Sequence, residues 1–418
     1  MIVDFDFKNF KNFKEEIKFS FEKGNKTELQ EHIIKKNGYE LLPIKVIYGI
    51  NSAGKTNILN AFSLLKRIII NGVIRKQEND YIGLCSNLDS KKDYESPMEF
   101  DITFLIDKDV YNYKLHIKNY AEMRSEVLYE CLQENNEIIF ERTKKEVRFS
   151  SKKAIIEKYY AQLSKRGVLE ANQELLRKNI LNTSIFTNWL QTFSGEICHK
   201  IKTFFLERVI IIKNLESEKI DIPLDLKKNA PKDSKFTSNL VNKLLQELDQ
   251  EKADIYFKKE ENNKPAQAIA KYTFSDTNES IETNADLTES KGTLKLIDLI
   301  GLIVGSLTFG DILMVDELDA SIHHEIIYSI LSAYGDPDIN KNGAQLIFTT
   351  HNPVYMNEKL LRRDEIVFVE KDDETSYIQT LNDYDIRKDK KYLKNYLAGE
   401  FTLLPNFDLG EIINDEKS

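Results

Sequence analysis

Apolar and polar residues alternate from the first positions of the chain: Val3, Phe5 and Phe7, then Phe10, Phe13, Ile17, Phe19 and Phe21. A period of two predicts strands. Lys23-Gly24-Asn25-Lys26 predicts a turn. The apolar run from Leu41 to Tyr48 predicts a buried strand that leads directly into a glycine-containing loop. Beyond the loop, Ile58, Leu59, Ala61, Phe62, Leu64, Leu65 and Ile68 recur at helical spacing and predict a helix from Asn57 to Ile70.

Alternation returns between Met98 and Ile117, through Phe100, Ile102, Phe104, Ile106 and then Tyr111, Tyr113 and Leu115. Residues from about 152 to 208 hold few breakers and predict helix, followed by a strand at Val209-Ile210-Ile211-Ile212. A Lys-rich stretch with Pro223 and Pro231 predicts a loop. Leu240, Val241, Leu244, Leu245 and Leu248 predict a short amphipathic helix, and mixed strands share the range 239–283. From 287 onward, helix and strand alternate. There is no repeat, and no heptad run long enough for a coiled-coil arm. The chain therefore divides into an α/β lobe at 1–150, a mainly helical insertion at 151–285 and a second α/β lobe at 286–418.

Composition narrows the class without naming a function. The 418 residues are 41% hydrophobic and 30% charged, as in ordinary globular proteins. No uninterrupted run of about 18 apolar residues appears, so no membrane span is expected. The opening Met-Ile-Val-Asp-Phe-Asp lacks the basic and apolar regions of a signal peptide. Cys85, Cys131 and Cys198 show neither metal spacing nor an even-numbered framework, which suggests a reduced, cytoplasmic protein. The net charge of −9 does not advertise nucleic-acid binding. Residues 1–76 depart from that average, with 14 Lys/Arg against 8 Asp/Glu, a balance that a solvated face also explains.

Gly49-Ile50-Asn51-Ser52-Ala53-Gly54-Lys55-Thr56 matches G-x-x-x-x-G-K-[ST] at every fixed position. A chance match in a chain of this length is on the order of 1 in 100. The predicted strand before the loop and helix after it make chance rarer still. Such a loop turns successive backbone N–H groups inward around a phosphate, and its glycines permit the close approach. Lys55 reaches β- and γ-phosphate oxygens, Thr56 ligates Mg²⁺, and the helix N-terminus adds its positive dipole end.

Asp311-Ile312-Leu313-Met314-Val315-Asp316-Glu317 is an apolar strand ending in two acids. Functional groups of parallel sheets gather at the carboxyl ends of strands. There, Asp316 suits a Mg²⁺ held through water and Glu317 an attacking water. An acidic strand end also suits a helix N-cap, and the phosphate loop upstream is what favours the catalytic reading. A second buried strand, Gln345 to Thr349, ends in Thr350-His351, where the histidine could sense a γ-phosphate. His323 and His324 lack the i, i+4 spacing of a helical metal pair. Glu289-Ser290-Lys291-Gly292-Thr293 precedes an apolar helix, Leu294 to Val304, and suits either an ordinary N-cap or an anion-binding surface.

Taken in order, these segments resemble the ABC-type ATPase heads of the SMC, RecF and OLD families. The Walker A loop is Gly49 to Thr56, with Asn51 in the G-x-N form and Asn57 following. Ser290-Lys291-Gly292-Thr293 is signature-like, Ile312 to Glu317 is Walker B, Leu318-Asp319-Ala320-Ser321 is the D-loop and His351 the switch histidine. Asn9-Phe10-Lys11-Asn12-Phe13 resembles the Asn-Phe-x-x-Phe strand that opens such heads. Leu361 to Lys371 and Tyr396-Leu397-Ala398-Gly399 resemble the ATP-binding proteins of bacterial phage-defence operons, similar to RloB-associated or PARIS-like ATPases. Gly399-Glu400-Phe401-Thr402 departs from the Gly-Arg-Tyr-Gly form of that group.

The resemblance implies an ABC-type P-loop head, with a mixed sheet, an antiparallel strand lobe and a mainly helical insertion. It implies ATP and Mg²⁺ as ligands. The nucleotide would lie on Asn51, Ser52, Ala53, Gly54, Lys55, Thr56 and Asn57, and the metal on Thr56 and Asp316. Ser290, Gly292 and Thr293 of a second, head-to-tail copy would cap the γ-phosphate, with Glu317 and His351 driving hydrolysis. OLD proteins add a Toprim nuclease after the switch histidine, but only 67 residues follow His351 here. Glu370 and Asp383-Tyr384-Asp385 fit that nuclease only superficially, so any nuclease or toxin activity is expected in a partner from the same operon. The leading expectation is an ATPase sensor or regulator in phage defence. A RecF-like DNA-repair ATPase, with a local nucleic-acid surface, and a nucleotide-locked scaffold remain as alternatives.

Overall fold

A computed structural model describes residues 1–74, 85–120, 124–159, 183–189, 195–213, 242–243, 253–258, 267–320, 322–372, 375–384 and 391–401. The alternating N-terminal residues form strands β1 (Ile2–Lys8) and β2 (Ile17–Ser20). The apolar run expected as one strand is split into β4 (Tyr39–Leu41), which pairs with β3 (Ile34–Lys36), and β5 (Ile44–Tyr48). Pro43 stands at the break, where a residue without an N–H cannot donate to a sheet ladder. Helix α1 spans Lys55–Asn71 and ends at Gly72 in the left-handed region (φ 74°), where a Cβ would collide with Asn188. After the short helix α2 (Lys91–Glu95) come five antiparallel strands: β6 (Met98–Ile106), β7 (Asp109–Tyr120), β8 (Arg124–Glu134), β9 (Glu137–Thr143) and β10 (Val147–Phe149).

Helices α3 (Lys153–Tyr159), α4 (Phe186–Trp189) and α5 (Gly195–Thr203), with a π-helical turn at Phe204–Arg208, lead into β11 (Val209–Ile212). A separate three-stranded sheet follows, β12 (Asp254–Lys258), β13 (Gln267–Thr273) and β14 (Ser280–Asn284). Of the amphipathic helix expected from Leu240 to Leu248, only Asn242 and Lys243 are among the described residues, and both are helical. Helix α6 (Ala285–Thr288) precedes α7 (Lys291–Phe309), which is longer than the expected Leu294–Val304. Then follow β15 (Ile312–Val315), α8 (His324–Gly335), β16 (Gln345–Thr349), β17 (Ile366–Lys371), β18 (Ser376–Thr380) and α9 (Tyr392–Leu397).

Two large sheets result. One is antiparallel, in the order β10-β9-β8-β7-β6-β1-β2. The other, β11-β15-β16-β5-β17-β18, is parallel from β11 to β17, with β18 antiparallel at its edge. Strands β5, β15 and β16 are buried throughout, as expected of a parallel sheet covered on both faces. On one face, Ile47, Met314 and Ile347 join α1 and the antiparallel sheet in a core that includes Phe5, Phe7 and Phe62. On the other, Val46, Leu313 and Phe348 pack with Leu299 and Leu302 of α7 and Ile327 and Leu331 of α8. This is a mixed α/β architecture with a separate antiparallel lobe.

Gln345 joins the two sheets. It is fully buried, accepts the Ile2 N–H at 2.7 Å and donates to Ile2 O at 2.9 Å. Among the described residues one helical stretch, Gly292–Phe309, is long and apolar enough by composition to cross a membrane. Its apolar side chains Leu296, Ile297, Leu299 and Leu302 are buried in the core of the protein.

Candidate nucleotide-binding site

The parallel sheet brings the carboxyl ends of β5, β16 and β15 side by side, so the loops after them converge. The chain leaves β5 at Tyr48 and turns through Gly49 to Gly54 into α1. Glycine is required at both ends of this turn. Gly54 has φ 118°, and a Cβ there would overlap the Asn12 amide; a Cβ on Gly49 would come within 2.5 Å of Val369 O. Ser52 also takes a positive φ, 64°. Asn51 and Ser52 are exposed, whereas Ala53, Gly54 and Lys55 are buried.

Lys55 Nζ donates back to Gly49 O at 2.9 Å and to Ile50 O at 3.2 Å, so the ammonium lies over the loop. Burial lowers its pKa to about 8, against the opposing pull of Asp316 and Glu317. Asn12 props the loop from below. Its Nδ2 donates to Ala53 O at 2.7 Å and Ser376 Oγ at 2.6 Å, and its Oδ1 accepts from Asn57 Nδ2 at 2.5 Å. One side chain thus ties the opening segment, the loop, α1 and β18 together. Within the sequence, Asn12 stood only as part of the Asn-Phe-x-x-Phe resemblance.

Thr56 Oγ1 donates to Asp316 Oδ1 at 3.1 Å, across 260 positions of sequence. The same carboxylate oxygen receives Thr349 Oγ1 at 2.6 Å, and Thr349 Oγ1 accepts the backbone N–H of Glu317 at 2.8 Å. Thr349 ends β16, the strand between those of the loop and the acids. Its role was not legible in sequence, where it read as one more residue of a buried strand. Glu317 adopts a left-handed φ of 50°, and its side chain is 61% exposed. His351 Nε2 stands 3.9 Å from Glu317 Oε1, beyond hydrogen-bonding range. Burial first, and the Lys55 charge second, lower the His351 pKa and favour its neutral form. Asp319 of the next loop is raised by burial, against a hydrogen bond from Thr350. Ser321 lies outside the described residues.

Ser290, Gly292 and Thr293 form the first turn of α7. Ser290 caps that helix, its Oγ accepting Thr293 N at 3.1 Å and lying 2.8 Å from Thr293 Oγ1. The hydrogen bonds of Ser290 remain within that turn. In the C-terminal segment, Glu370 accepts Tyr377 Oη at 2.7 Å and Tyr384 Oη at 3.3 Å. Asp383 accepts the Thr380 N–H at 2.7 Å. Asp385 and Thr402 lie outside the described residues. No group of three or more His, Cys, Asp or Glu suited to a metal occurs among the described residues. Thr56 and Asp316 instead offer one hydroxyl and one carboxylate side by side, a hard-oxygen pair that suits a Mg²⁺ sharing its remaining positions with water and phosphate.

A family model described as "AAA domain, putative AbiEii toxin, Type IV TA system" matches residues 44–357, about three quarters of the chain. The chain belongs to this family. The matched span of this AAA-domain ATPase opens at Ile44, the first residue of β5, and closes beyond His351. It therefore contains the phosphate loop, Ser290, Asp316 and Glu317. Among solved structures, the SMC head domain from Thermotoga maritima is similar at 13% identity and a TM-score of 0.41, over 91% of this chain and 98% of that one. No curated protein matches the chain by sequence.

Proposed function

We propose that this AAA-domain ATPase hydrolyses ATP at a site completed by a second, head-to-tail copy, and that it regulates a separate effector in anti-phage defence. The observation that supports the hydrolytic reading best is the meeting of Thr56 and Thr349 on one oxygen of Asp316. Loop, acidic strand and intervening strand meet there. Backbone N–H groups of Asn51 to Thr56 face the phosphates, with Asn57 behind them, and Lys55 exchanges its carbonyl partners for β- and γ-phosphate oxygens. Thr56 and Asp316 would hold Mg²⁺, which when bound would neutralise phosphate charge.

Glu317 would act as general base, its carboxylate accepting the proton of the attacking water; its 61% exposed side chain supports this reading. His351, kept neutral, would meet the γ-phosphate side of the site. Ser290, Gly292 and Thr293 of the second copy would supply the cap, because the start of a 19-residue helix offers an anion its positive dipole end. The chain is then a cytoplasmic switch whose two heads close on ATP and part after hydrolysis.

The defence role rests on the family description, which names a toxin and a toxin–antitoxin system. On this reading the nuclease or toxin belongs to a partner from the same operon. Phosphate release tests the hydrolytic part. Wild type should turn over ATP, while Glu317→Gln and Lys55→Ala should lose on the order of 100-fold or more. Equal rates in wild type and Glu317→Gln would reject Glu317 as the base. Pull-down of the neighbouring gene's product by the full chain tests the regulatory part, and absence of any complex with or without ATP would count against it.

A further inference from the structure

A cleft of about 270 Å³ opens on the far half of α1, lined by Ser63, Lys66, Arg67, Ile70 and Asn71, with Ile211 of β11 opposite. The five α1 residues recur at helical spacing and form one stripe. Lys66 Nζ donates to Val209 O, capping a carbonyl of the edge strand. An ammonium carries three donors, and this bond uses one. Among the described residues no carboxylate pairs with Lys66, so a half-buried positive charge faces the cleft without a counterion. Burial alone lowers its pKa, to about 8, which leaves it charged at pH 7. Ser63 Oγ and the Asn71 amide also make no side-chain hydrogen bond to a described residue, and Arg67 adds an exposed second cation.

A half-buried cation without a counterion is unfavourable unless an anion or water satisfies it. Two cations, a hydroxyl and an amide around one small volume are the donor set of a phosphate site, and Ile70 and Ile211 add an apolar wall. We propose that this cleft is an anion subsite, separate from the Gly49–Thr56 loop, that takes the phosphate group of a second phosphorylated ligand. Free mononucleotide and nucleic-acid backbone carry the same group. The α1 side of the cleft lies in the segment 1–76, where cations exceed anions despite the negative net charge of the chain.

Its position connects it with the P-loop. Lys55 and Thr56 begin the helix whose other half lines the cleft. Strand β11 pairs with β15 residue by residue, Ile211 with Met314 and Ile212 with Val315, immediately before Asp316. A ligand bridging α1 and β11 therefore touches the helix that carries Lys55 and Thr56 and the strand beside the one that leads to Asp316.

The test uses the full chain with Lys55→Ala, which silences the P-loop. AMP binding is measured by equilibrium dialysis, and binding of a fluorescein-labelled oligothymidylate by anisotropy at two salt concentrations. At least one probe should bind, and Lys66→Gln and Arg67→Gln should each weaken it about ten-fold. Binding of AMP alone would assign a small ligand. Binding of the oligonucleotide with a steep salt dependence would assign a nucleic-acid backbone. The proposal is overturned if neither probe binds, or if binding is unchanged in Arg67→Gln, whose exposed side chain keeps that variant folded even should Lys66→Gln fail to fold.

Discussion

Thr349 Oγ1 donates to Asp316 Oδ1 at 2.6 Å while accepting the Glu317 N–H at 2.8 Å. A single hydroxyl therefore fixes both acids of the strand end, one through its carboxylate and one through its backbone. Thr349→Val keeps the shape and removes both bonds. A hydrogen bond to a charged group contributes roughly 1.5–3 kcal/mol. We expect kcat to fall about ten- to hundred-fold with ATP affinity changed far less, as read from steady-state phosphate release beside equilibrium nucleotide binding. Unchanged kcat would show that Thr349 is merely a packing residue.

Asn12 gives a different signature. It makes three hydrogen bonds, to Ala53, Asn57 and Ser376, and a Cβ on Gly54 would meet its amide. Asn12→Ala should cost about 1–3 kcal/mol of stability in denaturant unfolding. It should also weaken ATP binding, because the loop loses its support from below. A loss of stability with intact affinity would separate the loop from its prop.

Much of this site was legible in the sequence, for reasons that differ by residue. Gly49, Gly54, Lys55 and Thr56 carry local chemistry at fixed spacing, so no tertiary information is needed to read them. Asp316 and Glu317 end an uninterrupted apolar strand and stand out for the same reason. Asn12 and Thr349 act only across 41 and 33 positions of chain, and nothing local marks them.

The strands at 124–149 escaped the alternation for a third reason. Their inward positions include Glu130 and Glu134, where an apolar residue is expected. In the fold Glu130 takes Arg142 at 2.9 Å and Tyr113 Oη at 2.8 Å, and Glu134 takes Lys158 at 2.7 Å and Tyr111 Oη at 2.8 Å. Carboxylates paired in this way can be buried, and they erase the hydrophobic period.

Lys55 makes nucleotide binding depend on pH. Its pKa is about 8 in the free protein, and phosphate oxygens favour the protonated form. Binding is therefore strongest where Lys55 is already charged, near pH 7, and weakens as pH rises through 8 and the free protein loses that proton. His351 is shifted downward and stays neutral over this window, so it does not contribute to the change. Calorimetric affinity for ATP between about pH 7 and 9.5 should fall progressively, with proton uptake on binding above pH 8. A flat profile would contradict this.

Leu287 is 78% exposed and lies three residues before Ser290. A second copy whose P-loop meets Ser290 would cover this side chain. Leu287→Asp should therefore weaken ATP-dependent self-association about ten-fold, while unfolding free energy stays within about 0.5 kcal/mol of wild type, as for other exposed positions. Undiminished association would place the contact elsewhere.

The composite site itself is tested most directly by the molar mass of the Glu317→Gln chain in solution, measured by light scattering with and without saturating MgATP. A general base removed without disturbing Lys55, Thr56 or Asp316 should trap the closed pair. The account predicts that MgATP doubles the mass or raises it to a higher oligomer, and that Lys55→Ala or Ser290→Arg abolishes the change. A mass that stays the same while ATP demonstrably binds would contradict a site shared between two copies.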